Sequence, residues 1–376
     1  MSLFVGLMSG TSLDGIDAVL VDIDKAGQPQ LIATHAEPMP ETLHERLWAL
    51  CHAHRVSFAE LARAEDSFCR LQAQAVDTLM ASSKTLTNAI AALGSHGQTI
   101  EHAPSGHDGG PPYTLQLDNP GLLAELTGCA VVADFRRRDL AAGGQAAPLA
   151  PAFHQALFRA PGEWRLVLNL GGFANLTLLP PTEDERPPLG FDTGPANALL
   201  DAWHARHRRG RFDAGGRWAA TGRIDEALLE RLLADPFFHR PPPRSTGREA
   251  FHLGWLETQL TGKERPEDVQ ATLAELTAAS VAMGVMMARE QLDAPPAAAL
   301  ITCGGGTHNP DLLGRLAQRL PETPLVASDE WGWPADWLEG GAFAWLAWRR
   351  LAGLAGNLPS VTGACGPRIL GGLYAP

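Results

Sequence analysis

Lysine is almost missing from this chain. Lys25, Lys84 and Lys263 are the only three, and no Gly-Lys-Ser/Thr follows the first glycine turn, so it is not a phosphate loop of that type. No G-x-G-x-x-G follows an apolar strand either, which removes the dinucleotide fingerprint. The five cysteines (51, 69, 129, 303 and 365) are scattered and never form a C-x-x-C pair, so neither a disulfide framework nor a zinc site is expected, and a reducing cytoplasm is the natural setting. Basic charge is short as well: the net charge of -12 argues against nucleic acid and against an anionic membrane surface as partners. No uninterrupted apolar run approaches the ~20 residues needed to cross a bilayer, and no basic residue precedes the apolar N-terminal run, so a secretory signal is not expected. With 45% hydrophobic and 19% charged residues over 376 positions, the composition is that of an ordinary globular protein with room for two domains.

What is present is organised around Leu3 to Ile23, LFVGLMSGTSLDGIDAVLVDI. Leu3, Val5 and Leu7 alternate with other residues, and Ile16, Val19, Val21 and Ile23 resume after a polar turn, which predicts two strands joined as a hairpin. Between them stand Gly10, Thr11, Ser12, Leu13, Asp14 and Gly15, followed by Ile16 and Asp17. Such a turn exposes backbone N–H groups to the oxygens of a polyphosphate, and Asp14 or Asp17 can hold the accompanying cation through water. An ordinary hairpin loop uses the same residue types. The pattern recurs, however: Trp164 to Leu179, WRLVLNLGGFANLTLL, places Gly171 and Gly172 between two apolar runs. Two further runs end in glycines, Ile90 to Gly97 and Leu300 to Gly306. Hairpin, helices and strand with glycine turn therefore occur twice, as expected of two similar α/β halves facing one another across a cleft.

Other segments carry polar residues at strand or helix ends. Ile90 to Leu93 delivers His96, Gly97, Gln98 and Thr99, which favours hydrogen bonding to a polar substrate over a packed core histidine. Ala130 to Ala133 runs into Asp134-Phe-Arg-Arg-Arg-Asp139, where one or two of the arginines are expected to meet a carboxylate or phosphate. In Gly190-Phe-Asp-Thr-Gly-Pro195, Gly194 or Thr193 reads as the cap of a helix from 196 to 207, with Asp192 just outside its positive end. A carboxylate there is aimed into a cleft or merely stabilises the helix. Arg240 to Arg248, RPPPRSTGR, reads as a loop packed near the site, and Gly304, Gly305 and Gly306 suit a flat ligand lying against bare backbone. A last helix starts near Glu339.

Five motifs in order, Met8 to Asp17, Gly94 to Thr99, Ala133 to Asp139, Asn169 to Asn175 and Gly190 to Pro195, resemble those of the bacterial anhydro-N-acetylmuramic acid kinases, within the actin, sugar-kinase and heat-shock-chaperone ATPase superfamily. Ala196 departs from that pattern, which has glycine there. The resemblance implies two ribonuclease-H-like lobes of the actin/sugar-kinase type. They are expected at 1–138 and 139–376, with packing of the last helix back on the first lobe left open. It implies an enzyme using ATP, Mg2+ and water to open 1,6-anhydro-N-acetylmuramic acid and phosphorylate O6, in recycling of cell-wall sugar, with homodimer formation left open. Gly10 to Asp17, Gly171 and Gly172 would bind ATP, and Gly304 to Gly306 would receive its adenosine side. His96 to Thr99 and Arg137 would belong to the sugar site, Asp192 would be the base, and Glu339 would lie near the sugar and the attacking water. The phosphate-site chemistry needs positioning and charge neutralisation more than lysines. Two rivals share these features: an actin-like kinase for a different sugar, and a non-catalytic ATP-driven switch.

Overall fold

The computed structural model describes all residues except Met1, His54, Asp108 and Glu249. The chain divides into two compact units, residues 1–157 with 337–376, and residues 158–336. The expected boundary after Arg138 is thus displaced to Leu157. The reason lies in Asp139, fully buried, which accepts from the Ala146 N–H (2.8 Å) and from Thr362 Oγ1 (2.8 Å), so the segment beyond Arg138 is tied into the first unit together with the C-terminal residues.

The strands are β1 (Ser2–Ser9), β2 (Gly15–Ile23), β3 (Pro29–Pro38), β4 (Ile90–Ala103), β5 (Tyr113–Leu117), β6 (Val131–Ala133), β7 (Arg165–Leu170), β8 (Phe173–Leu179), β9 (Leu189–Pro195), β10 (Ala299–Cys303), β11 (Leu325–Ala327) and β12 (Gly372–Tyr374). In the first unit the sheet order is β12-β6-β4-β1-β2-β3, with β5 against β4. The strands β1, β2 and β3 are antiparallel, whereas β4 runs parallel to β1 and β6 parallel to β4. In the second unit the order is β11-β10-β7-β8-β9, with β7, β8 and β9 antiparallel and β10 and β11 parallel additions. Order and sense therefore repeat, β3-β2-β1-β4-β6 against β9-β8-β7-β10-β11. This is the ribonuclease-H-like arrangement that two hairpins with a following parallel strand predict.

Local chemistry explains the elements. Val5, Leu7, Ala18 and Leu20 fill the first core, joined by Ala64, Phe68, Leu71 and Ala75 from the helix Phe58–Ser83. Ser57 caps that helix by accepting from the Glu60 N–H (3.2 Å) while its hydroxyl donates to Glu60 Oε2 (2.9 Å). Asn119 caps the helix Pro120–Thr127 and Gly128, at φ 66°, ends it, as its sequence predicts. In the second unit Leu166, Leu168, Leu170, Leu176 and Phe191 meet Ala278, Val281 and Val285 of the helix Pro266–Leu292. Among the described residues this helix is long and apolar enough in composition to cross a membrane, although its charges break the uninterrupted run, and most of that stretch is buried in the second unit.

Gly94 is not in a turn. It lies within β4, and a Cβ there would overlap the Phe343 carbonyl, just as one on Gly6 of β1 would overlap the carbonyl of Gly340. The glycines let the helix Leu338–Leu351 lie backbone against backbone on β1 and β4, and this contact brings Glu339, in its first turn, into the first unit.

Candidate functional site

In the first unit the β1–β2 turn runs from Gly10 to Asp14. Gly10 O accepts from the Leu13 N–H (3.3 Å) and from Gln98 Nε2 (3.3 Å), while Gln98 Oε1 accepts from Ser9 Oγ (2.7 Å). Gln98 is fully buried and also donates to Thr99 O (3.3 Å), so its amide braces the hairpin rather than standing open to a sugar. Thr11, Ser12 and Asp14 are exposed in the turn. Leu13, at φ 60°, and Ile16 bury their side chains in the core, which leaves only their backbone to face a ligand. Gly15 is required for strand pairing, since a Cβ would overlap Glu37 O, and Asp17 lies in β2 opposite Met8.

Beside this hairpin, β4 carries His96 at 5% exposure and Gly97 at φ 73°. Arg136 Nε and Nη2 lie 3.2 and 3.0 Å from His96 Nε2, which must accept, so the neutral ring carries its proton on Nδ1. Burial and then the Arg136 charge push His96 down to about 3, keeping it neutral at working pH. Burial lowers Arg136 to about 10, with Glu339 and then Asp139 opposing that fall, which puts Glu339 within the electrostatic reach of the guanidinium. Arg136 also donates to Ala146 O (2.7 Å), and Phe343 packs its ring 4.7 Å from that of His96. Of the three arginines it is thus Arg136 that joins His96 and Glu339. Arg137 opens the short helix Arg137–Ala141, is 57% exposed in its side chain and pairs with Asp134 at 3.5 Å.

In the second unit Asp192 sits inside β9 and not at a helix start. It faces Asn175 of β8, whose Nδ2 donates to Asp192 Oδ1 (2.9 Å), and the Thr246 N–H donates to Asp192 Oδ2 (2.9 Å). The helix Asn197–His207 begins after Ala196, and its leading N–H groups go to the hairpin turn instead: Ala196 and Ala198 donate to Gly172 O (both 3.0 Å) and Asn197 to Gly171 O (3.2 Å). Gly194 and Pro195 belong to the strand, where an edge position tolerates proline. Ala196 is buried, at φ -129° and ψ -114°.

The glycine triplet after β10 splits by role. Gly304, at φ 79° and ψ 167°, has backbone angles open essentially to glycine alone, and a Cβ would overlap Asn169 Oδ1; at Gly306 a Cβ would come within 2.6 Å of Leu170 Cβ. Both are needed to press this turn on the end of β7. Gly305 is exposed, with open space where a Cβ would project.

Sequence reasoning put Asp192 and Asn175 in motifs but missed their pairing, which two-residue strand alternation could have shown. It placed the loop Arg240 to Arg248 near the site but did not single out Arg244, since a guanidinium in a proline-rich loop carries no local sign of burial. No group of three or more His, Cys, Asp or Glu side chains suited to a metal occurs among the described residues. A magnesium ion that is held mainly by phosphates and water needs only one or two carboxylates, and carboxylates such as those of Asp14 and Asp17 would fit that requirement.

The anhydro-N-acetylmuramic acid kinase family matches residues 2–376. The anhydro-N-acetylmuramic acid kinase of Chromohalobacter salexigens is 62% identical over 375 residues, covering 100% of both chains. That of Pseudomonas syringae pv. tomato is 49% identical over 373 residues, covering 99% of this chain and 98% of its own. Among solved structures, a ROK hexokinase from Thermus thermophilus aligns over 92% of this chain and 99% of its own, at 17% identity and a TM-score of 0.38. With a family match over nearly its whole length and full-length relatives near half identity or above, the chain belongs to the anhydro-N-acetylmuramic acid kinase family.

Proposed function

We propose that this kinase uses ATP and water to convert 1,6-anhydro-N-acetylmuramic acid into N-acetylmuramic acid 6-phosphate and ADP, in the cytoplasm, as a step in recycling cell-wall sugar. The observation that carries the reading is the Asp192 carboxylate. Each of its oxygens accepts a hydrogen bond from a neutral donor, Asn175 Nδ2 or the Thr246 N–H, so it is oriented as an anion with no proton of its own to give. That is the state a general base needs. Water attacking C1 loses its proton to Asp192 as the C1–O6 bond breaks, and the departing O6 takes the γ-phosphoryl group, which removes the need for a separate acid.

The other residues serve positioning. Gly10 to Asp14, Gly171 and Gly172 would offer backbone to the phosphates, and Gly305 would lie against the adenosine side. Asp14 and Asp17 would hold Mg2+ through water, and the ion would neutralise phosphate charge. His96, with Nε2 engaged by Arg136, together with Glu339 and Arg137, would line the sugar.

Asp192→Asn tests the reading. Turnover is expected to fall by about 10²-fold or more, the range for losing a general base, with ATP affinity nearly unchanged. Wild-type turnover in the variant would sink it. ADP release stimulated by the anhydro-sugar, and not by a panel of ordinary sugars, separates this substrate from those of other sugar kinases.

A further inference from the structure

We propose that Arg244 is the positioning residue for Asp192, acting from the loop 240–248; this rests on Asp192 being the base. In the sheet order β9 is an edge strand, so the outward N–H and C=O of Asp192 have no neighbouring strand to meet them. Arg244 takes that place. Its carbonyl accepts from the Asp192 N–H (3.0 Å) and its Nε donates to the Asp192 carbonyl (3.0 Å), as a paired strand would do with backbone alone. Two residues on, Thr246 supplies the N–H that fixes Oδ2. One loop therefore grips both the backbone and the carboxylate of the base.

The guanidinium is itself held from behind. Arg244 is 5% exposed; Nη1 donates to the carbonyls of Phe237 (3.1 Å), Phe238 (3.0 Å) and Arg240 (2.6 Å), and the group lies over the rings of Phe191 and Phe237 at 5.4 and 4.9 Å. Burial brings its pKa down to about 10, with the charge of Asp192 opposing the fall, so it stays protonated at neutral pH. A buried cation with this many carbonyl partners is more than surface decoration of a proline-rich loop. Its removal leaves several carbonyls unsatisfied and the loop carrying Thr246 without an anchor.

Steady-state kinetics on the full chain, with ATP and 1,6-anhydro-N-acetylmuramic acid, test the assignment. Arg244→Met is expected to lower kcat about 10- to 100-fold, the scale of a misplacement near 1 Å, with both KM values within about threefold of wild type. Arg244→Lys should recover only part of kcat, because an ammonium has three donors for four carbonyls, that of Asp192 among them. Combined with Asp192→Asn, Arg244→Met should add almost nothing, since a residue acting only through the base is silent once the base is gone. If Arg244→Met does not fold, Arg244→Gln, which keeps amide donors without the charge, is measured in its place against the same expectation. Unchanged kcat in a folded variant, a raised KM at constant kcat, or a full additional loss on the Asp192→Asn background would each overturn the proposal. Wild-type turnover in Asp192→Asn alone would instead overturn the base reading on which it rests.

Discussion

The turn of the first hairpin, Gly10 to Asp14, is held by side chains: Ser9 Oγ, whose single proton is shared between Gly15 O (2.9 Å) and Gln98 Oε1 (2.7 Å), and the Gln98 amide. The turn of the second hairpin, Gly171 and Gly172, is held by backbone amides at the start of the following helix and by the close approach of Gly304 and Gly306. The topology is the same, yet rigidity comes from opposite sources. Side-chain bracing suits a long turn whose own backbone is to stay available, whereas a two-glycine turn has no side chains to brace and must be clamped by neighbouring backbone. Buried charge divides the same way. The second unit surrounds Glu275 with Arg315 (3.1 Å) and Arg319 (2.7 Å), but the first buries the carboxylate oxygens of Asp118 near Ser95 and Gln72 with no cation against them among the described residues.

The harshest way to break this comparison is at the backbone clamp. Gly304→Ala forces a side chain into backbone angles open essentially to glycine and into Asn169, and should destabilise the protein by about 3 kcal/mol or more, the sum of strain and overpacking. Gly305→Ala, in open space, should change stability by less than about 0.5 kcal/mol. Denaturant titration separates the two; equal effects would mean that the triplet acts only through its ligand.

At the side-chain clamp, Gln98→Ala removes the amide bonded to Ser9 Oγ and Gly10 O, leaving them only Gly15 O and the Leu13 N–H, and should cost about 2 kcal/mol. It should also speed hydrogen exchange at Leu13, whose amide closes the turn. Unchanged protection at Leu13 would show that the turn holds its shape without Gln98.

Much of this architecture was legible in the sequence because hairpins announce themselves locally, as alternating apolar residues around glycine. Asp192 was misplaced for a physical reason: Gly194-Pro195 reads as a helix start, while an edge strand accommodates both residues. The reading of Gly94 as a turn failed similarly, since a glycine needed for helix-on-sheet contact and one needed for a turn look alike in one dimension. Arg136 could not be told from Arg137, because the helix that begins at Arg137 and turns it outward is only five residues long and has no side-chain cap to mark it. The return of residues 337–376 to the first unit rests on contacts hundreds of residues apart and has no local signal.

The smallest expected effect concerns the uncompensated carboxylate. Burial raises Asp118 from the ordinary value of 3.8 to about 6, with the nearby polar groups of Ser95, Asn119 and Gln72 opposing the rise and Glu65 adding repulsion. A carboxyl whose folded pKa is raised binds more protons folded than unfolded between those two values, so its contribution to stability is full below 3.8 and is lost as pH rises through about 6. At neutral pH the buried anion is therefore a liability. Asp118→Asn removes the charge and keeps a polar group of the same size. Thermal denaturation from pH 4 to pH 7 should show the variant more stable by about 1 kcal/mol at pH 7, with the advantage shrinking toward pH 4. Asn cannot recover the whole linkage energy, because its amide inherits the same burial and must share Ser95 and Gln72 as partners. A variant less stable than wild type at pH 7 would show that Asp118 is compensated after all. The two units would then treat their buried carboxylates alike.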